Sequence, residues 1–148
     1  FTTAAVNYYQ GDQLLNPIHV VPARAVAGGL AQEAGAGDLI AGEPDTLVGH
    51  YYALHPGVAT YQAVDAAANL AWIADHAPPV VYLVTFGRDS TSDSYASDEL
   101  AAWLARHYRL QDERGYAPVE PLYQAVKSRL TGRPAYANKL VVQHYVRP

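Results

Sequence analysis

The chain has 148 residues, a mass of 16.0 kDa, a formal net charge of −4 and a pI near 5.8. That length suits one domain able to bury roughly 70% of its unfolded surface. The acidic balance argues against a nucleic-acid groove or a polybasic membrane patch. Half of the residues are hydrophobic and only 16% are charged, against a usual ~25%, which excludes a disordered chain or a charged coiled coil. With no cysteine there is no disulfide scaffold, thiolate metal site or Cys nucleophile.

In chain order, residues 1–21 read as an irregular segment. Asn7-Tyr8-Tyr9-Gln10-Gly11-Asp12 is rich in turn formers, and Asn16-Pro17 is a further breaker. The domain proper is expected over 22–148. Pro22 suits the first turn of a helix, whose buried stripe is Val26, Leu30 and Ala34 with Ala23, Ala27 and Ala31 alongside. Gly35 supplies the stop. The short apolar run Asp38-Leu39-Ile40-Ala41, set between Gly37 and Gly42, reads as a buried strand. Residues 45–56 carry a helical stripe of Leu47, His50, Tyr51 and Leu54, ended by Pro56-Gly57. A helix is expected over 62–77, with Val64, Ala67, Ala68, Ala71 and Ala74 as one face, widened by Leu70 and Ile73. That leaves Asp65, Asn69 and His76 as a narrow polar strip.

Val80-Val81-Tyr82-Leu83-Val84-Thr85-Phe86 is apolar without alternation, the pattern of a strand buried on both faces in a parallel sheet. After a polar loop, Ser94 or Ser97 can cap a helix carrying Asp98 and Glu99 at its positive end and Leu100, Trp103, Leu104, His107 and Tyr108 on its buried face. Residues 108–116 read as an exposed edge strand. Pro121 opens either a helix through Leu122, Ala125, Val126 and Leu130, ended by Gly132, or a strand. Leu140 to Val146 is rich in β-formers and closes the sheet. Such alternation predicts an α/β domain: a three-layer, mostly parallel sheet with helices on both faces and Rossmann-like topology.

The motifs that carry chemistry are sparse. Gly35-Ala36-Gly37 precedes a strand instead of following one and lacks a third glycine, so it is not a dinucleotide loop. His50 and His55 are five apart, which fits neither metal-ligand spacing on a helix. Ser90, Ser92 and Ser94 have no nucleophile elbow around them. No catalytic residue, cofactor or metal is therefore assigned. Ligands of open parallel sheets gather outside the carboxyl ends of strands, here after Gly42 and Gly87. Glu43, His50, Tyr51, Arg88 and Asp89 are the candidate walls of a ligand pocket there.

Asn7-Tyr8-Tyr9, a Pro-led helix, Ala36-Gly37-Asp38-Leu39-Ile40, Tyr51-Tyr52, the strand from Val80 to Phe86 and a helix leading to Tyr108-Arg109-Leu110 form a recurring arrangement. It resembles the extracytoplasmic C-terminal region of polytopic membrane glycosyltransferases of the GT-C type, the group of protein mannosyltransferases and aminoarabinose transferases. The resemblance spans most of the chain and implies an accessory domain of an enzyme that uses polyprenyl-phosphate sugars. The acidic catalytic residue of that group lies in an early luminal loop, and no position here matches it. The implied partners are the membrane portion of the same polypeptide and a sugar acceptor or polyprenyl-phosphate sugar. The chain opens at Phe1 without Met, and no Lys or Arg occurs before Arg24. Both fit a segment that follows a membrane span on the extracytoplasmic side of the cell membrane. The alternative is a freestanding α/β domain that binds a small molecule or sugar.

Overall fold

A computed structural model describes residues 19–43, 46–54, 57–87, 97–118, 125–126, 129–130, 132 and 136–148. The elements run β1 (His19–Val20), α1 (Ala23–Glu33), β2 (Leu39–Gly42), α2 (Val48–Leu54), β3 (Thr60–Ala63), α3 (Ala66–His76), β4 (Val80–Phe86), α4 (Asp98–His107), β5 (Arg109–Tyr116), β6 (Tyr136–Ala137) and β7 (Leu140–Val146). Five strands form one sheet in the order β3-β2-β4-β7-β5, and β1 pairs with β6 in a separate two-stranded ladder. The chain is thus an α/β protein with a mixed sheet.

The parallel part is β3, β2 and β4, with Ile40 level with Tyr61 on one side and Tyr82 on the other. The last strand departs from the parallel expectation. β7 inserts between β4 and β5 and runs antiparallel to both. Seven consecutive pairs, from Val80 with Val146 to Phe86 with Leu140, bind it to β4. β5 lies at the edge of the sheet, exposed along most of its length, as its charged sequence predicts.

β4 is the central strand, and Val81 to Val84 are buried. Its alternate side chains enter two cores. Tyr82 and Val84 join Ile40, Val142 and Leu140 beneath Val26, Ala27 and Leu30 of α1 and Val48 and Tyr52 of α2. Val81 and Leu83 join Leu39, Ala41 and Tyr145 against Ile73 of α3 and Leu100 and Leu104 of α4. Each fully buried Leu, Ile or Val contributes about 1.5–3 kcal/mol relative to exposure.

Two turns show why the elements begin and end where they do. α1 stops at Glu33, because Gly37 takes φ +89° and the Asp38 carboxylate accepts the Gly35 N–H at 2.7 Å. α3 starts at Ala66, four residues later than expected, because Asp65 is its N-cap and accepts the Ala68 N–H at 2.8 Å. The residues before it form β3, a strand that the sequence reading placed inside the helix.

The expected face of α3 is also corrected. Ala67, Ala68, Ala71 and Ala74 face solvent, whereas Ile73 is buried and Leu70 and Trp72 pack partly against the core. Large side chains gain more from burial than methyl groups, so they set the inward stripe. Asn69, expected on the polar strip, is fully buried. Its amide group donates to Gln62 Oε1 at 2.9 Å and its oxygen accepts from the Asp65 N–H at 2.9 Å, which ties α3 to the end of β3. At α4, Ser97 occupies the N-cap without a side-chain bond, while Asp98 and Glu99 lie in the first turn as expected. Residues 125–126 and 129–130 are helical, in line with the helical alternative there. Ser94 and residues 1–18 lie outside the described residues.

Candidate functional site

β2 and β4 are adjacent and parallel, but the helices that follow them separate. α2 belongs to the core containing Tyr82, and α4 to the core containing Leu83. The carboxyl ends of β2 and β4 therefore form a topological switch point, the place where open α/β sheets hold their ligands.

Glu43, the first residue after β2, lies at that switch point with 2% of its surface exposed. Its N–H donates to the Val84 carbonyl at 3.1 Å, which extends the β2–β4 ladder by one step. Its Oε2 accepts from the Phe86 N–H at 3.4 Å, and its Oε1 has no hydrogen-bond partner. A buried carboxylate oxygen without a donor is unfavourable, and native structures retain few of them. The Glu43 carbonyl is well served: the Thr46 hydroxyl donates to it at 2.6 Å and the Thr46 N–H at 3.1 Å. Leu47 then takes φ +59°, a conformation rare for leucine, and leaves its side chain 52% exposed.

Tyr61 of β3 closes one side of this turn. Its ring lies against Gly42 and Gly49, so that a methyl group on Gly42 would fall 2.8 Å from Tyr61 Cζ and one on Gly49 would fall 2.9 Å from it. It also stacks on Tyr52 with ring centroids 5.7 Å apart. Burial pushes the Tyr61 phenol above its ordinary range, opposed by hydrogen bonding to the Gly49 backbone and the Thr46 hydroxyl. Glycine is required at 42 and 49 for this close approach.

Of the five candidate residues, Glu43, His50 and Tyr51 are among the described residues. Glu43 is buried at the switch point. Tyr51 lies on α2 and lines an open groove of about 530 Å³ with Val21, Pro22, Arg24, Ala25 and Ala117. His50 is exposed and meets Tyr51 edge-on at 5.5 Å. Neither is among Glu43's hydrogen-bond partners in the described residues. Arg88 and Asp89 lie outside the described residues.

Two further polar groups were missed by sequence reasoning. Glu33 of α1 holds Arg114 of β5 through two bonds of 2.7 and 2.6 Å, and this bond is the main reason the Glu33 carboxyl is held below its usual range. Arg114 Nε lies 3.2 Å from Asp112, whose other oxygen is 3.0 Å from His144 Nδ1. His144 in turn stacks on Tyr82 at 4.8 Å. The members of this chain come from four elements, so no sequence spacing announces it.

The second group is a repeated pair. Trp72 with His76 and Trp103 with His107 stack at 4.2 and 4.1 Å, each imidazole Nδ1 donating to the carbonyl of its tryptophan. Since a carbonyl only accepts, Nδ1 carries the proton in both. Their identical four-residue spacing was the available signal. Trp103 and His107 line an open groove of about 410 Å³ with Ile73, Tyr108 and Arg147.

Chemically, the switch point holds one desolvated carboxylate oxygen without a hydrogen-bond partner. Among the described residues no hydroxyl is hydrogen-bonded to an imidazole, so no nucleophile and base stand paired. Compared with known protein families, curated proteins and solved structures, the chain matches none.

Proposed function

We propose that this chain is the extracytoplasmic accessory domain of a membrane-embedded glycosyltransferase that uses polyprenyl-phosphate sugars, and that it does not catalyse transfer by itself. The carrying observation is what the residues of the resemblance do. Asp38 closes the turn that feeds β2, the Tyr52 hydroxyl donates to the Ala59 carbonyl at 3.2 Å, and the Tyr108 hydroxyl donates to the Pro78 carbonyl at 3.0 Å. Val80–Phe86 is the central strand. Each therefore serves the scaffold, as expected of an accessory domain whose chemistry lies elsewhere in the polypeptide. In this reading the two cores are the interiors of a three-layer, Rossmann-like arrangement, supported by α1 and α2 packing with one set of sheet residues and α3 and α4 with the other.

The domain's partners are the membrane portion of the same chain and a sugar acceptor or the polyprenyl-phosphate sugar. No helix among the described residues is long and apolar enough to cross a membrane. The spans of this reading therefore belong to sequence beyond them. The coding sequence upstream of Phe1 tests the reading directly: a series of hydrophobic segments of ~20 residues is expected. A cysteine introduced at Gln10 of the full-length protein should react with an impermeant reagent on intact cells. Labelling only after the cells are broken would refute the placement, and the glycosyltransferase reading with it.

A second reading, a freestanding α/β domain that binds a small molecule or sugar, is favoured by the unpartnered Glu43 Oε1. A signal peptide alone upstream of this segment would select it.

A further inference from the structure

The geometry points to the groove between the last turns of α3 and α4 as a binding site for an organic anion, a carboxylate or phosphate carried on an apolar ring. The groove measures about 410 Å³, a size that suits a small ligand, and every residue lining it is among those described. Ile73, Trp103 and Tyr108 give it apolar walls. Its ionisable cationic members are His107 and Arg147, the residue after β7, and no aspartate or glutamate lines it.

The two Trp–His stacks separate a structural role from a binding one. Each imidazole caps its own helix: His76 Nδ1 donates to the Trp72 carbonyl at 3.0 Å and His107 Nδ1 to the Trp103 carbonyl at 2.8 Å. Arg106 Nε donates to the Ala102 carbonyl at 3.0 Å, and Arg147 Nη1 to the Ala77 carbonyl at 3.3 Å. The carbonyls that make a helix C-terminus negative are thus met by donors, which lessens their repulsion of an anion. Capping accounts for the α3 stack, and neither Trp72 nor His76 lines the groove. The α4 stack has the groove and Arg147 beside it as well.

The lining selects the ligand. A guanidinium has five N–H donors in a planar fork, and among the described residues the Arg147 side chain makes one hydrogen bond and no ion pair. The remaining donors suit a carboxylate or phosphate. His107 is exposed, with one ring face on Trp103 at 4.1 Å and 15°, so its other face extends the stack to a ligand ring. A cationic ligand would meet Arg147 and no carboxylate side chain. A bare inorganic anion would leave the apolar walls uncovered. The site is the same whether the chain is an accessory domain or freestanding.

The test is a titration of the folded chain with phenylacetate and phenyl phosphate, followed through the indole N–H resonances. The chain has two tryptophans, and Trp72→Phe identifies the Trp103 signal. Benzyl alcohol and inorganic phosphate are the controls. Saturable shifts of the Trp103 signal are expected with both aromatic anions, and affinity at least about fivefold weaker for each control. Arg147→Gln should lower affinity about tenfold while the protein remains folded by circular dichroism, and Arg147→Lys should recover part of the loss. Pro148 also lines the groove, so the titration is repeated with a Gly-Ser extension that moves any terminal carboxylate away from Arg147. Absence of saturable shifts in both forms overturns the site. So does an Arg147→Gln variant that binds as tightly, or a shift confined to the Trp72 signal. Benzyl alcohol binding as tightly as phenylacetate would overturn the anionic head, and inorganic phosphate binding as tightly as phenyl phosphate would overturn the ring. Binding of one aromatic anion and not the other retains the site and fixes its head group.

Discussion

Replacing Gly42 by Ala tests the packing that frames the crevice. The added methyl group would lie 2.8 Å from Tyr61 Cζ and 3.2 Å from Cε2, well inside ordinary carbon contact. The ring has little room to yield: its other edge rests on Gly49, where a methyl group would lie 2.5 Å from Cε1, and it stacks on Tyr52 at 5.7 Å. Either Tyr61 swings outward and gives up its bonds to Thr46 and Gly49, or β2 moves against β3. Overpacking of this kind costs about 1–3 kcal/mol, offset by roughly 0.4–1 kcal/mol from the stiffer unfolded chain. The net loss of about 1–2 kcal/mol should lower Tm by roughly 3–8 °C in a chain of this size. A double-mutant cycle in thermal or urea denaturation assigns the cause. In a Tyr61→Ala background the clash is gone, so Gly42→Ala should be neutral or slightly stabilising, with a coupling energy of about 1 kcal/mol or more. An equal loss in both backgrounds would refute the argument, because the strain would then lie in β2 itself. A harmless single substitution would show that Tyr61 does not cover Gly42.

Leu83→Ala, at a fully buried position of the central strand, should cost about 3 kcal/mol in urea denaturation; a loss under about 1 kcal/mol would mean that β4 is not interior. Asp65→Ala should cost about 1 kcal/mol through loss of the α3 cap, and Asp65→Asn should recover most of it; equal losses would refute capping. Burial pushes Tyr52, Tyr61, Tyr82, Tyr108 and Tyr145 above the ordinary tyrosine range. Their contribution is fully present below about pH 10, and above it the unfolded chain ionises first. Stability should then fall by up to ~1.4 kcal/mol per pH unit for each tyrosine. A urea midpoint unchanged between mildly and strongly alkaline buffer would contradict this.

The parts of the fold legible in the sequence are those whose burial is one-dimensional. The stripe of Val26, Leu30 and Ala34 fixes α1, and the unbroken run from Val80 to Phe86 fixes the central strand, because each writes its environment into consecutive residues. β3 has four residues at the sheet's edge, none of them buried, so its pattern carries no strand signal against the long helical one beside it. The direction of β7 is not written in its side chains at all. Its run of β-forming residues has no direction, and the register with β4 is set by pairing across about sixty residues of chain instead. The face of α3 was misread for another reason: alanine counts as apolar in a periodicity argument yet has little surface to bury, so Trp72 and Ile73 decide the orientation.

The site shows the same division. The carboxyl-end rule led from two strands to Glu43, and Glu43 is where the switch point lies. The rule cannot say which neighbours a turn will gather. His50 and Tyr51 are only seven and eight residues further on, but Thr46 folds back onto the Glu43 carbonyl and starts α2, whose buried face is Val48 and Tyr52. On a helix of 3.6 residues per turn, His50 lies about 200° from Val48 and is exposed, whereas Tyr51 lies about 60° from Val48 and packs partly against the core that holds Val48 and Tyr52. The residues that do enclose the turn, Tyr61 and the Phe86 N–H, come from the two strands flanking β2. A crevice between parallel strands is built by neighbours in the sheet, which are remote in the chain, and its acceptor is the only part of it that a local reading can find.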